Sequence, residues 1–454
     1  MRELAKTRAL VVGLGRSGEA AARFLTAKGA TVSATDAKTE AQLGPISANL
    51  RSLGLPLHLG GHDPSIFLAQ DLIVVSPGVP WDLPALEQAR RQGVTVVGEV
   101  ELAAPYLLGP VIGVTGANGK TTTTALIGHL LSRGGLPVQV GGNLGQPYPP
   151  VTAMIAASAP DKWNVIELSS FQLEAIETFR ARIAVALNVT PDHLDRHGTF
   201  ERYAAAKGRL FATQQSGDFA VLNADDPACT AYATQTPAQP VWFSRTRPVA
   251  PGTCVAEGWI RFAREGGAVP LVEVAAVPIR GAHNLENTLA ATAAAFLAGV
   301  EPAAIRRAVP EFRAVEHRLE FVRRVGGVDY YNDSKATNVD ATRKALEAFE
   351  GNLWVILGGQ DKGSDYTTLR DLLRGKARGV LLVGAAAAKI GQQIGGAAQL
   401  REAGTLASAV SYAARNAGPG DTVLLAPACA SFDQFDNYEH RGRVFKQLVA
   451  ALTE

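Results

Sequence analysis

The sequence predicts an α/β protein built from three domains, and three observations carry that expectation. Short apolar runs recur along the chain, each followed by a polar or glycine-bearing turn and then a stretch that suits a helix. Two of these turns, Gly13 to Gly18 and Gly113 to Thr121, lie where a strand hands over to a helix. The 454 residues exceed one core, since single cores rarely grow past about 250–300 residues.

Residues 1–98 form the first expected domain. Ala9-Leu10-Val11-Val12 enters Gly13-Leu14-Gly15-Arg16-Ser17-Gly18, Ala20 to Ala27 reads as a helix, and Thr31 to Thr35 as a second strand with Asp36 at its tip. This is a Rossmann-like βαβ unit with an acidic residue about 20 positions on. Alone it would suggest a dinucleotide, but no nicotinamide-side chemistry follows and a second phosphate loop does. The same turn would hold the diphosphate of a UDP-sugar equally well. Arg16, Ser17 and Asp36 are candidates for that site, with Gly78 from the turn after Asp71 to Val75. Asp36 has two readings, a uridine contact or a solvated carboxylate at a strand end.

The second domain, residues 99–313, centres on Gly113-Val114-Thr115-Gly116-Ala117-Asn118-Gly119-Lys120-Thr121-Thr122. The strict P-loop pattern fails, because Val114 stands where a glycine is wanted; the longer G-x-T-G-x-N-G-K-T pattern fits. Converging backbone N–H groups and a helix dipole make an anion cradle there. Gly116, Asn118, Gly119, Lys120, Thr121 and Thr122 are the expected ATP contacts, in a P-loop ATPase-like parallel sheet. Lys120 would face the β/γ-phosphates and the Thr121 hydroxyl would ligate Mg²⁺. Gly141-Gly142-Asn143-Leu144-Gly145 reads as a second glycine turn, with Asn143 a further UDP-sugar candidate. Glu167 lies in an apolar strand, where a carboxylate is costly unless paired or metal-bound, so it is a second Mg²⁺ candidate. His193 follows the apolar run Ala184 to Val189, at an expected strand C-terminus. Lys207, on a small-residue helix, reads by itself as an ordinary solvated lysine. Residues 236–280 suggest short strands in a peripheral subregion, and Asn284 is placed to cap the alanine-rich helix that follows.

Residues 314–454 repeat the strand, loop and helix design. Val328 to Asn332, Leu353 to Gly358, Val380 to Val383 and Thr422 to Ala426 imply a second doubly wound, Rossmann-like sheet. A net charge of +2 and the lack of a Lys/Arg-rich block argue against nucleic acid as a partner. No stretch approaches 18 consecutive apolar residues, so no membrane span is expected. Cys229, Cys254 and Cys429 lie far apart and form no CxxC pair, which suggests neither a disulfide scaffold nor a zinc site. A cytoplasmic monomer is the expectation.

The loop from Gly113 to Thr121 resembles the ATP loop of the Mur ligases and folylpolyglutamate synthases, which join an amino acid to a carboxylate at the expense of ATP. The runs NVTPDHLDRHG and YAAAKGRLF resemble Mur-ligase segments that carry a metal-binding histidine and an N-carbamoylated lysine, here His193 and Lys207. The resemblance implies that Lys120, His193 and Lys207 serve catalysis and that two Mg²⁺ ions bind. NDSKATN, GGQDKG and PACASFDQFDNYEHRG extend it through the third domain, toward the branch whose acceptor is D-glutamate. By that resemblance Asn284, Asn287, Arg318, Asp333 and Lys335 serve the nucleotide, while Thr337, Lys362, Ser431 and Tyr438 surround the amino acid. A dicarboxylate acceptor does want cations and hydroxyl donors. The implied substrates are UDP-N-acetylmuramoyl-L-alanine, D-glutamate and ATP, in peptidoglycan precursor synthesis. Phe432 and Tyr438 depart from the family pattern, which has Leu and Phe at those places. The Rossmann-like unit disfavours a folylpolyglutamate synthase, and DSKATN disfavours the sister ligases. A nucleotide sensor without turnover is disfavoured by the joint presence of Lys120, Glu167, His193 and Lys207.

Overall fold

Three sheets organise the chain in a computed structural model that describes residues 4–313 and 315–453. The first contains β1 (Arg8–Val12), β2 (Thr31–Asp36), β3 (Leu57–Leu59), β4 (Leu72–Val75) and β5 (Thr95–Gly98). All pairings are parallel, in the order β3-β2-β1-β4-β5. The order reverses direction at β1, so the turns after β1 and β4 open side by side at a switch point. The helix after β1 runs Arg16–Ala27, a turn earlier than its apolar residues indicate, with Gly15 as its N-cap. β3 and β5 escape sequence reading because one is three residues long and the other is largely half-buried.

The second sheet contains β6 (Val111–Thr115), β7 (Val138–Gly142), β8 (Trp163–Glu167), β9 (Ile183–Ala186), β10 (Phe219–Asn223), β11 (Gln239–Ser244), β12 (Gly252–Ala256), β13 (Trp259–Arg264) and β14 (Gly267–Glu273). The order is β14-β13-β12-β11-β10-β9-β6-β8-β7, with β13 and β14 antiparallel at one edge. The short strands expected in residues 236–280 are present as β11 to β14 and form one side of this sheet. β11 and β12 continue the parallel sheet, and the hairpin extends it. Gly141 and Gly142 are the last residues of β7 rather than a turn. β6 and β9 are buried throughout, and Ile166, Leu168, Phe179, Tyr203, Leu210 and Phe211 pack one core against them.

The third sheet contains β15 (Glu320–Val325), β16 (Val328–Asn332), β17 (Leu353–Gly358), β18 (Ala377–Val383), β19 (Gln399–Gly404) and β20 (Thr422–Leu425). It is ordered β15-β16-β20-β17-β18-β19, and only β15 runs antiparallel to its neighbour. The two strands added to the expected four lie at the edges, where Arg323, Arg324, Arg401 and Glu402 can face water.

Contacts group the chain into two compact units. One comprises residues 1–274 and 288–309 and contains the first two sheets. The other comprises 275–287 and 310–454 and contains the third sheet.

Candidate functional site

In the first unit, the phosphate loop leaves β6 and closes at Gly119, whose φ of +87° favours glycine. The helix Lys120–Arg133 follows with Gly119 as its N-cap, so its N-terminal dipole faces the loop. Asn188 clamps the loop: its Oδ1 accepts Asn118 N at 2.9 Å and its Nδ2 donates to Asn118 O at 3.1 Å. Gly116 has no space for a side chain without crowding Leu187 Cβ at 3.0 Å. Lys120 Nζ donates to the carbonyls of Gly116 and Ala117, each at 2.9 Å. Thr121 and Thr122 are buried in the first helical turn.

Glu167 ends β8, and its register partners are Val114 on β6 and Gly142 on β7. The side chain is 2% exposed. Asn143 Nδ2 donates to Oε1 at 3.2 Å, while Oε2 is buried with no hydrogen-bond partner. A buried carboxylate oxygen without a donor is costly, and a hard cation is the group that satisfies it. The donor set at this strand end therefore fits Mg²⁺.

Lys207 corrects its sequence reading. It is 1% exposed on the helix Phe200–Ala212, not solvated. Its Nζ donates to Gly116 O at 2.7 Å and lies 4.5 Å from the Tyr203 ring centre. Burial, then the Lys120 ammonium, hold its pKa well below the usual lysine range; Asp192 and Glu167 oppose that shift. Lys120, Glu167 and Lys207 thus share one electrostatic neighbourhood.

His193 is exposed and adopts a left-handed backbone, φ +53°, at the start of the short helix Leu194–His197. Its backbone N donates to Asp192 Oδ1 at 3.0 Å, and its ring lies 4.8 Å from that of Phe171. The neighbouring His197, not singled out from sequence, is the buried one. It faces Ser170 Oγ at 3.0 Å and Glu174 Oε1 at 3.0 Å.

The first sheet brings its candidates to the switch point. Ser76 Oγ donates to Gly13 O at 2.6 Å, joining the turns after β1 and β4. Asp36 is half-buried and anchored at the strand end: it accepts Leu14 N at 2.6 Å and Lys38 N at 2.8 Å. Arg16 Nη2 donates to Tyr148 O at 2.6 Å, and Arg196 Nη2 to Val79 O at 2.9 Å, beside Gly78. Ser17 lies half-buried in the first turn of its helix.

In the second unit, Asn284 lies inside the helix Ala282–Leu297 rather than at its cap. Its Nδ2 donates to Arg280 O at 2.6 Å, and its Oδ1 accepts Asn287 Nδ2 at 3.0 Å. Burial pushes the Asp333 carboxyl up to about 7, against the opposing charge of Arg318 and the Leu319 N–H. Lys335 Nζ lies 3.7 Å from the Tyr438 ring centre, a cation–π pair between a nucleotide candidate and an acceptor candidate. Thr337 N donates to Lys335 O at 2.7 Å. Buried Arg441 ties the two loops together, donating to Ser334 Oγ and O and to the carbonyls of Cys429 and Ala430, beside buried Ser431. Lys362 and Phe432 are exposed.

Glu316, His317 and Glu320 have the spacing of a metal cluster. Lys446 already bridges the two carboxylates at 2.9 and 2.6 Å, and Asn332 Nδ2 lies 2.9 Å from His317 Nδ1. This is an internal ion network. Among the described residues no helix is long and apolar enough to cross a membrane.

Known proteins match along the whole chain. Residues 7–98 match the Mur ligase MurD-like N-terminal domain, residues 114–295 the Mur ligase middle domain and residues 317–429 the Mur ligase glutamate ligase domain. The chain is 60% identical to the UDP-N-acetylmuramoylalanine–D-glutamate ligase of Solibacter usitatus, covering 99% of each chain. It is 46% identical to the enzyme of that name from Myxococcus xanthus, again over 99% of each. Among solved structures, UDP-N-acetylmuramate-alanine ligase MurC from Thermotoga maritima shares the fold with a TM-score of 0.62 at 20% identity, covering 98% of this chain and 99% of that one. A pseudomurein peptide ligase type C from Methanothermus fervidus shares it with a TM-score of 0.61 at 20% identity and the same coverage.

Proposed function

The chain belongs to the Mur ligase family, and from that membership we infer that it joins D-glutamate to UDP-N-acetylmuramoyl-L-alanine with cleavage of ATP to ADP and phosphate. The acceptor identity rests on full-length likeness to D-glutamate ligases. One observation supports the chemistry: a phosphate loop whose Gly116 carbonyl holds two lysines, near a buried, unsatisfied carboxylate oxygen of Glu167.

A carboxylate is a poor acyl donor, and phosphorylation supplies the leaving group. The muramoyl-alanine carboxylate oxygen attacks the γ-phosphorus, the bond to the β-bridging oxygen breaks, and ADP departs. The D-glutamate amine then attacks the acyl-phosphate carbon, and the tetrahedral intermediate releases phosphate as the amine loses its proton. Lys120 rests on loop carbonyls; nucleotide binding would turn its ammonium toward phosphate oxygens, where charge develops. Mg²⁺, when bound, supplies Lewis-acid charge to the phosphoryl oxygens. Thr121, Glu167, His193 and a carbamoylated Lys207 are the groups that would hold two such ions.

The lowered pKa of Lys207 favours a neutral amine, whose nitrogen can attack CO₂. A carbamate forms as the N–H proton passes to solvent, converting a buried base into an oxygen ligand. Arg16, Ser17, Asp36, Gly78 and Asn143 are assigned to the UDP-sugar. Asn284, Asn287, Arg318, Asp333 and Lys335 are assigned to ATP, with Thr337, Lys362, Ser431 and Tyr438 assigned to D-glutamate. We propose domain boundaries at 98/99 and 313/314. A cytoplasmic monomer is the working form we propose.

Mass spectrometry tests the reading. ATP, UDP-N-acetylmuramoyl-L-alanine and D-glutamate should give a product heavier than the nucleotide sugar by one glutamyl residue. No such product from folded protein with Mg²⁺ and bicarbonate present would overturn it.

A further inference from the structure

Two loops of the second unit carry D-glutamate candidates, Lys362 after β17 and Ser431 after β20, and they are joined just before those residues. Gln360 N donates to Ala430 O at 2.9 Å, and Ala430 N donates to Gln360 O at 3.2 Å. One residue on, the Asp361 carboxylate gathers three donors. Lys389 Nζ meets Oδ2 at 2.7 Å, while Tyr366 Oη and Ser364 N meet Oδ1 at 2.8 and 3.2 Å. Burial works against ionisation of Asp361, but Lys389, Tyr366 and the Ser364 N–H outweigh it and hold its pKa below the usual aspartate range. Tyr366 is buried, and its Oη lies 3.1 Å from Cys429 Sγ on the second loop. The Tyr366 hydrogen goes to the carboxylate, so the hydrogen between Tyr366 and Cys429 belongs to the thiol. Lys389 and Gln393 stand one turn apart on the helix Ala387–Ile394, and Gln393 Oε1 accepts Tyr366 N at 2.7 Å. That helix therefore grips the first loop at both 361 and 366.

We propose that Asp361 is a positioning residue: it fixes where the Lys362 side chain departs relative to Ser431, and so selects D-glutamate over the shorter D-aspartate. A dicarboxylate is gripped at both ends when a cation on one loop and a hydroxyl on the other keep a fixed separation. Asp361 directly precedes Lys362, and Gly363 follows it at φ +79°. Glycine gives the loop freedom on one side, so the anchor on the other side sets where the lysine stands. Tyr366 carries that anchor to Cys429, close before Ser431 in the second loop. Aspartate is shorter by a methylene, and loops held at the glutamate separation meet only one of its carboxylates well. The proposal rests on the assignment of Lys362 and Ser431 to D-glutamate.

Steady-state kinetics of the full chain with ATP, UDP-N-acetylmuramoyl-L-alanine and either D-glutamate or D-aspartate test it. Asp361→Ala is expected to raise the KM for D-glutamate about tenfold and to narrow the kcat/KM preference over D-aspartate about as much. The kcat with D-glutamate should stay within about threefold of wild type, as should the KM values for ATP and the nucleotide sugar. Tyr366→Phe keeps the buried ring and should move KM and preference the same way, with the double variant no worse than Asp361→Ala. A wild-type preference in Asp361→Ala, or equal losses toward all three substrates, overturns the proposal. If Asp361→Ala fails to fold, Tyr366→Phe decides: wild-type KM and preference there overturn it. Lys362→Ala with a wild-type KM for D-glutamate overturns the assignment beneath the proposal, and the proposal with it. Wild-type protein that turns over no D-glutamate overturns the ligase reading first and this proposal in consequence.

Discussion

Lys207 and Lys120 donate to the same carbonyl oxygen, that of Gly116, at 2.7 and 2.9 Å. Burial, and then the nearby Lys120 ammonium, lower the pKa of Lys207 well below the usual lysine range. The Gly116 carbonyl thus anchors a lysine, Lys207, suited to become a nucleophile.

Lys120→Ala should leave the fold intact and cut kcat by at least ~10²-fold, the scale of losing a donor aimed at developing charge. Stopped-flow turnover beside circular dichroism checks this. A folded variant with near-normal kcat would remove the phosphate loop from the chemistry.

Lys207 should give a carbamate carbon signal in ¹³C NMR with labelled bicarbonate, absent in Lys207→Arg. That variant should also lose most activity, since a guanidinium cannot take up CO₂. Full activity in Lys207→Arg would leave Lys207 a structural residue only.

Glu167→Gln removes a buried charge whose Oε2 lacks a donor, so the metal-free variant should melt no lower than wild type. Its apparent Mg²⁺ affinity in the presence of nucleotide should fall at least ~10-fold. An unchanged Mg²⁺ dependence would refute its role as a ligand.

Asp333 makes stability depend on pH. Its folded pKa, about 7, lies above that of an exposed aspartate, so the folded state binds the extra proton between about pH 4 and 7. Its contribution is fully present below about pH 4 and is lost as pH rises through 7. Asp333→Asn should therefore flatten the decline in Tm between pH 5 and 8. Parallel curves for the two proteins would contradict this.

Tyr438→Phe keeps the ring under Lys335 and should change the KM for D-glutamate by less than about threefold. Tyr438→Leu removes the cation–π pair, worth roughly 0.5–2 kcal/mol, and should raise that KM about 2- to 30-fold. An equal rise in the KM for UDP-sugar would point to general disruption instead.

The parts of the site visible in the sequence are those whose chemistry is local. Glycines, Lys120 and Thr121 announce a phosphate loop because one turn contains the whole device, and Glu167 stands out because charge is foreign to an apolar strand. Lys207 reads as solvated because its burial comes from tertiary packing, which no periodicity in Ala204-Ala205-Ala206 reveals. Asn188 acts through a partner 70 residues away, and carries no local pattern. β15 and β19 escape because edge strands need not be apolar on both faces. Asn284 is legible as a helix-start residue but not as the partner of Asn287, since spacing alone does not separate a cap from an internal pair.

The most direct test of the central claim is phosphate release from ATP with UDP-N-acetylmuramoyl-L-alanine, comparing D-glutamate, L-glutamate, meso-diaminopimelate and L-lysine. The account predicts release that requires both the nucleotide sugar and D-glutamate. Release driven by another amino acid instead would keep the ligase and discard the acceptor assignments of Thr337, Lys362, Ser431 and Tyr438. Release with none of them, from folded protein that still binds ATP, would contradict the account.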